Sequence, residues 1–238
     1  MCGRYVSATA ASKLAEEFAV DEVVVEDLGE RYNVAPTLDV YTIVTTTEGK
    51  RRMGALRWGL VPGFAKDESI GNRMINLRSE TVTSKAAFTK LLDRRRCLVP
   101  ADGFYEWQKK EVPGKKTPER QPFYITSADG GPLAFAALWD RWTAPDQRGK
   151  DDAPEPLRTV TLITGEPNDL VAKIHDRMVV CLPEAAWDTW LDPNVGAEEA
   201  AKLLVPLPSE QMRAYPVTKL VSNVKNEGAE LLEPLAGH

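Results

Sequence analysis

The sequence predicts an α+β fold: a single compact domain with a β-rich, barrel-like core and short helices at its periphery. Three observations predict it. Many short segments read as strands, with only a few short helices among them. The 238 residues carry no strand–helix–strand rhythm and neither a GxGxxG nor a GxxxxGK loop, which sets the doubly wound parallel folds aside. No internal repeat or compositional break divides the chain, so residues 1–238 read as one domain.

The elements follow in order. Ala10 to Ala19 reads as a short amphipathic helix, with Leu14 and Phe18 one turn apart and Thr9 placed to cap it. Val40 to Thr46 is a strand, Glu48-Gly49-Lys50 a turn, and Arg52 to Trp58 the return strand. Pro62, Gly63 and Gly71 mark a loop, and Ser84 to Leu92 a short helix. Strands are predicted at Cys97–Val99, Phe104–Gln108, Pro122–Thr126 and Leu133–Trp139, with Asp129-Gly130-Gly131 turning the chain between the last two. Residues 142–157 are polar and rich in proline and read as a surface loop. Beyond it lie a strand at Arg158–Thr164, a helical turn at Leu170–Ile174 and a strand at Met178–Leu182. Helices at Pro183–Trp190 and Ala197–Leu204 and a last strand at Met212–Val217 complete the series.

Composition narrows the function classes. Hydrophobic residues make up 43% and charged residues 27%, a globular balance. No run of 18 apolar residues offers a membrane span, and Met1 to Thr9 lacks the basic and apolar regions of a signal peptide. A cytoplasmic, nucleoid-associated location in a bacterium, or a nuclear one in a eukaryote, is the expectation. Three cysteines, Cys2, Cys97 and Cys181, are too few and too scattered for a disulfide framework. With only His175 and His238 as histidines, no spacing fits zinc, and neither a metal nor a cofactor is expected. The net charge is -5, but Lys50 to Arg120 holds 17 Lys and Arg against 8 Asp and Glu. That stretch is either a basic surface suited to nucleic acid or an ordinary solvated face.

Cys2 is either an incidental small residue at a frayed chain end or the chemical outlier of the sequence. Removal of Met1 leaves a free α-amine and a thiol on adjacent carbons, with reference pKa values near about 8 and about 8.5. Such a 1,2-aminothiol condenses with aldehydes: the amine gives an imine, and the thiol adds to the same carbon to close a thiazolidine ring. An internal cysteine cannot do this, because its nitrogen is an amide. Three further groups suit proton transfer or polar support. Glu106, in Phe104-Tyr105-Glu106-Trp107, either shares a strand face with Phe104, where desolvation would raise its carboxyl toward neutrality, or is an exposed edge glutamate. His175, in Ile174-His175-Asp176-Arg177, is either a proton shuttle of the kind a histidine supplies near pH 7, with Asp176 and Arg177 placed to orient it or bind phosphate, or a structural histidine bonding a backbone carbonyl. Asn33, Asn76 and Asn226 either donate to a reactive group or hold turns.

Seven motifs resemble the SRAP family (SOS response-associated peptidases, also described as abasic site processing proteins). They are MCGRY at Met1–Tyr5, RYNVAPT at Arg31–Thr37, RWGLVP at Arg57–Pro62 and INLRSET at Ile75–Thr81. RCLVPADGFYEW at Arg96–Trp107, IHDRM at Ile174–Met178 and NVKNEGAELLEP at Asn223–Pro234 follow in the family's order. The resemblance implies the SRAP fold and a monomer that binds single-stranded DNA containing an abasic site. It implies a thiazolidine DNA–protein crosslink through Cys2, a lyase-type covalent chemistry, and links to DNA damage, DNA repair and the SOS response. The peptidase and hydrolase label implies removal of the protein's own leader, here Met1 alone. Residue by residue, Cys2 resembles the nucleophile and Asn76 the asparagine that holds the cysteine end and the sugar. Glu106 resembles the carboxylate that assists ring opening, and His175 the acid/base on the sugar oxygen. Arg4, Arg78 and Arg177 resemble phosphate contacts, and Asn33 belongs to the same DNA-binding set. Two departures stand out: Val179 replaces a usual proline, and Phe64 is the only aromatic where relatives often carry a base-wedging tryptophan.

Two other readings use the same residues. An N-terminal-nucleophile amidohydrolase would use the amine as base for the thiol, and needs an oxyanion hole that the sequence does not locate. A simple single-stranded-DNA binding module would not need Cys2 at all.

Overall fold

The computed structural model describes residues 2–114 and 117–235. Met1, His238 and the Lys115-Lys116 pair lie outside the described residues.

In chain order the first half comprises β1 (Tyr5–Ser7), α1 (Ala11–Glu17), β2 (Glu22–Val23), β3 (Arg31–Val34), β4 (Asp39–Thr45) and β5 (Arg51–Trp58). Then come β6 (Asn76–Arg78), α2 (Ser79–Ser84), α3 (Ala86–Arg94), β7 (Arg96–Ala101), β8 (Gly103–Lys110) and β9 (Glu119–Ser127). The rest comprises β10 (Leu133–Trp142), β11 (Leu157–Gly165), β12 (Met178–Val179), β13 (Cys181–Leu182), α4 (Trp187–Leu191), α5 (Ala197–Ala201) and β14 (Met212–Pro216).

Strands β10, β7, β4 and β5 pair antiparallel in that order, and β10 also pairs with β11. A parallel pairing of β11 with β5, Val160 opposite Trp58, closes the ring. The result is a closed five-stranded barrel, which removes the open edges such short strands would otherwise present. Alternation divides its side chains. Ile43, Met53, Leu98, Ala136, Leu138 and Ile163 pack with residues of all five helices. Helices cannot enter so narrow a ring, so this face is the outside. The alternate set, including Val40, Leu56, Trp58, Val99, Phe135, Val160 and Leu162, forms the inner cluster, and Cys2 and Tyr5 belong to it. The α+β, barrel-centred fold predicted from the many short strands is therefore the fold observed.

A second sheet, ordered β14–β9–β8–β1–β3, carries the N-terminus. Strand β1 runs between β8 and β3, with Tyr5 opposite Phe104 and Val6 opposite Gly103. Gly103 allows this approach, since a Cβ there would lie 2.6 Å from both the Ile125 carbonyl and the Tyr124 ring. The neighbouring Asp102 accepts bonds from the amides of Ala8 (2.6 Å) and Thr9 (3.0 Å) and from the Thr9 hydroxyl. Thr9 is thus tied to Asp102 and does not cap α1, whose N-cap residue is Ala10, without a side-chain bond.

Other expectations shift by local causes. The predicted Ser84–Leu92 helix is two helices, broken at Lys85, which is extended at φ -100, ψ 116. The predicted Met178–Leu182 strand is two, β12 on β11 and β13 on β10, because the chain passes between neighbouring barrel strands at Val180. Val180 donates to Ile163 and accepts from Ala136, which satisfies its backbone on both sides. The helix predicted over Pro183–Trp190 opens as a 3-10 turn at Glu184–Ala186 before α4, and α5 stops at Ala201. Residues 143–156 join β10 to β11 without a strand or helix. No helix among the described residues is long and apolar enough to cross a membrane.

Seven of the cations of the basic central stretch are engaged. Lys50 and Arg52 meet Glu22 (3.4 and 2.6 Å), Arg51 meets Asp188, Arg57 meets Glu68 (3.4 Å) and Arg94 meets Asp93 (2.7 Å). Buried Arg96 donates to carbonyls of Leu92, Asp93, Trp190, Asp192 and Val195, satisfying the ends of two helices. Arg95 stacks 4.4 Å from the Trp139 ring. A sequence excess of cations is therefore not a basic face of equal size.

Candidate active site

Sheet register brings the site together. Continuing the β1–β8 pairing from Tyr5–Phe104 places Glu106 beside the residues just before Arg4, hence next to Cys2. Strand β6 lies parallel to β11, with Asn76 opposite Leu162 and Arg78 opposite Thr164. Period-2 alternation sends Leu77 to the outer, helix-covered cluster and leaves Asn76 and Arg78 on the other face. Asn76 Nδ2 donates to the Cys2 carbonyl at 2.6 Å, while its Oδ1, although buried, has no hydrogen-bond partner among the described residues. The 3-10 turn Val171–Lys173 leads into His175, and Gln108 Nε2 ties that turn to β8 by donating to the Lys173 carbonyl at 2.8 Å.

Cys2 is fully buried. Burial pushes its thiol well above the usual range, and the charge of Glu106 adds to the effect. Glu106 is 2% exposed. Burial, reinforced by Asp176, pushes its carboxyl up to about 7. His175 Nε2 lies 3.9 Å from Glu106 Oε2, within ion-pair distance and beyond a direct hydrogen bond. Burial lowers the His175 pKa, and Asp176 opposes that shift. The Arg177 backbone N–H donates to His175 Nδ1 at 3.0 Å. In the neutral ring this assigns the proton to Nε2, toward Glu106. Four of the predicted residues, Cys2, Asn76, Glu106 and His175, thus converge from separate parts of the chain. Their chemistry is that of a thiol beside a carboxyl poised near neutrality and an imidazole.

The predicted DNA contacts divide. Arg78 is exposed and its side chain makes no hydrogen bond or ion pair among the described residues, two positions along β6 from Asn76. Phe64 is 65% exposed on a firmly held backbone: Gly63 N donates to Asp140 (2.8 Å), and the Ala65 carbonyl accepts from Trp142 (2.8 Å) and Arg148 (3.2 Å). Arg4 and Asn33 are engaged internally. Arg4 Nη1 donates to Asn33 Oδ1 (2.7 Å) and the Val221 carbonyl (3.1 Å), and Asn33 Nδ2 reaches the carbonyls of Val221, Asn223 and Asn226. Arg177 forks onto Glu80 (2.6 and 2.9 Å) and donates to the Thr164 carbonyl (2.9 Å). Sequence reasoning did not single out Glu80 or Asp102, since neither position carries a pattern that reveals its partner. Among the described residues, no group of three or more His, Cys, Asp or Glu is arranged to hold a metal.

The fold and site define a class: a small closed β-barrel protein with a cysteine at its N-terminal end gathered against a carboxylate, a histidine and an asparagine. Residues 1–224 match the family model described as SOS response associated peptidase (SRAP), and the chain belongs to that family. It is 40% identical over 235 residues to the abasic site processing protein YoqW of Bacillus subtilis, covering 98% of this chain and 99% of that one. It is 32% identical over 242 residues to the abasic site processing protein YedK of Escherichia coli, covering 99% and 100%. A crystal structure of a protein from Bacteroides thetaiotaomicron shares the fold, with a TM-score of 0.81 at 23% identity over 98% of this chain and all of that one.

Proposed function

We propose that this protein processes abasic sites in single-stranded DNA by joining itself to the lesion through Cys2 after loss of Met1. The observation that carries the reading is the gathering of Cys2, Asn76, Glu106 and His175 in one partly desolvated site. The family names of its relatives support the substrate.

The chemistry balances in three steps. The closed deoxyribose opens when Glu106 takes the proton of the C1′ hydroxyl and His175 Nε2–H gives one to the ring oxygen, freeing the aldehyde; Glu106 then returns its proton to His175 Nε2, 3.9 Å away, which restores both groups. The Cys2 amine then adds to C1′, and loss of the aldehyde oxygen as water leaves an imine. Finally the sulfur bonds to the same carbon while the thiol proton passes, by way of Glu106, to the imine nitrogen. Because burial keeps the thiol protonated, the amine attacks first and the thiol closes the ring with help from a base. Asn76 holds the Cys2 carbonyl, Arg78 offers its guanidinium to a backbone phosphate, and Phe64 offers a face to a base.

An amidohydrolase of the N-terminal-nucleophile kind is less well supported, since it needs a readily formed thiolate and Cys2 sits where burial and a carboxylate oppose one. The test is incubation of processed protein with single-stranded DNA carrying one abasic site, followed by a denaturing gel. A slow-migrating adduct is expected with wild type and none with Cys2→Ala. No adduct from wild type, or an equal one from Cys2→Ala, overturns the reading.

A further inference from the structure

We propose that Glu80 is a positioning residue for His175: by gripping the Arg177 side chain it keeps the Arg177 backbone N–H on His175 Nδ1, and so keeps the imidazole proton on Nε2, facing Glu106. The sequence offers no hint of this, because Glu80 and Arg177 are 97 positions apart. The fold joins them by register. Arg78 is opposite Thr164 on β11, and Met178 is opposite Gly165 on the same strand. Glu80 and Arg177 therefore lie one or two residues beyond neighbouring ladder positions.

The grip is bidentate. Arg177 Nη1 and Nη2 each donate to one Glu80 oxygen, at 2.6 and 2.9 Å, and Nη2 also reaches the Thr164 carbonyl at 2.9 Å. A guanidinium–carboxylate fork fixes direction as well as distance. The side chain of Arg177 is 14% exposed. Its Nε is buried with no hydrogen-bond partner among the described residues, so the arginine is held here although one donor goes unsatisfied.

The consequence falls on His175. Two groups meet its Nδ1 at 3.0 Å: the Arg177 backbone N–H, which needs Nδ1 unprotonated, and Asp176 Oδ1, which would accept a proton from it. These demands exclude one another in the neutral ring, and where the Arg177 backbone sits decides between them. With the grip in place, Nδ1 accepts and Nε2 carries the proton. With Arg177 loosened, Asp176 draws the proton to Nδ1 and the nitrogen facing Glu106 has none to give. The tautomer claim stands on this geometry alone; only its effect on crosslinking rests on the function proposed above.

The experiment uses the processed full-length protein labelled with 15N-histidine. The chain has two histidines, so a His238→Gln variant assigns the His175 signals. At pH 8, wild type is expected to show His175 protonated at Nε2. Glu80→Gln is expected to move a substantial fraction to Nδ1, and Glu80→Asp, which keeps a carboxylate, to restore most of the wild-type pattern. An unchanged tautomer in Glu80→Gln overturns the proposal. In parallel, Glu80→Gln should slow crosslinking by about tenfold without weakening binding to undamaged single-stranded DNA. If the tautomer moves and the crosslinking rate does not, the positioning holds and the role assigned to His175 fails. If wild type forms no adduct at all, the crosslinking reading fails while the tautomer still decides the proposal.

Discussion

Glu106 is the residue whose environment does most to set the chemistry. A carboxyl at about 7 is half protonated at neutral pH, and that suits a group asked both to take and to return a proton. Crosslinking should therefore fall as pH drops from 8 through 7 to 5, as Glu106 loses its basic form. Glu106→Gln should be slower at pH 8 by about a hundredfold, the order of general-base effects, and should lose the inflection near 7. Rates measured by adduct formation across that range check it. The same shift acts on stability, with a definite sign. The folded carboxyl holds its proton up to about 7, while the unfolded chain releases it near the ordinary glutamate value. Between those values the folded state binds more protons, so stability falls as pH rises through the window, by roughly 3 kcal/mol at most. Glu106→Gln, which has no charge to bury, should melt higher than wild type at pH 8, with the gap closing toward pH 5. Thermal unfolding at the two pH values measures it.

At the scale of elements, the long strands and the short ones were unequally legible. Strands β4, β5, β10 and β11 run for seven to ten residues, long enough for their apolar content to stand out, and match the sequence reading to within a few residues. Strands β1, β3 and β6 have three or four residues, several of them polar, and their period is too short to detect. Yet two of these position the site, because β1 carries Cys2 in and β6 presents Asn76. Glu106 shares a strand face with Phe104 as alternation predicts, but Tyr105 on the opposite face is equally buried, so the burial of Glu106 was not legible from alternation alone. Arg4, Asn33 and Arg177 were legible as polar residues in marked segments, but their partners lie 217, 193 and 97 positions away. Nothing local encodes such distances. Asn33 shows what this engagement is worth. It is buried and joins β3 to the 3-10 turn Lys219–Ser222 and the chain after it through three carbonyls, while accepting from Arg4. Asn33→Ala strands those groups in the interior and should cost about 2–4 kcal/mol. Urea unfolding checks the loss, and binding of undamaged DNA by the folded fraction should stay within about twofold. A selective loss of DNA binding at full stability would instead restore Asn33 to the DNA contacts.

Across the whole molecule, barrel closure is what turns scattered motifs into one site. The pairing of β11 with β5 brings Trp58 beside Val160, and Trp58 Nε1 donates to the Ile75 carbonyl at 2.9 Å, directly before Asn76. Tyr5 packs edge-on against Trp58 at 5.4 Å, so the same closure also seats the residues that follow Cys2. The overall class was readable because every long strand agreed on it. The site was readable only as separate groups, since their convergence depends on register between strands far apart in sequence. The proposed function stands on a processed Cys2 as the point of attachment to abasic DNA. Intact mass spectrometry of purified protein, with and without single-stranded abasic DNA, tests it most directly. The account predicts a chain lighter by Met1 and, with DNA, a species equal to protein plus DNA less one water, absent for Cys2→Ala. A chain that retains Met1 and still forms that species, or a Cys2→Ala protein that forms it equally, would contradict the account.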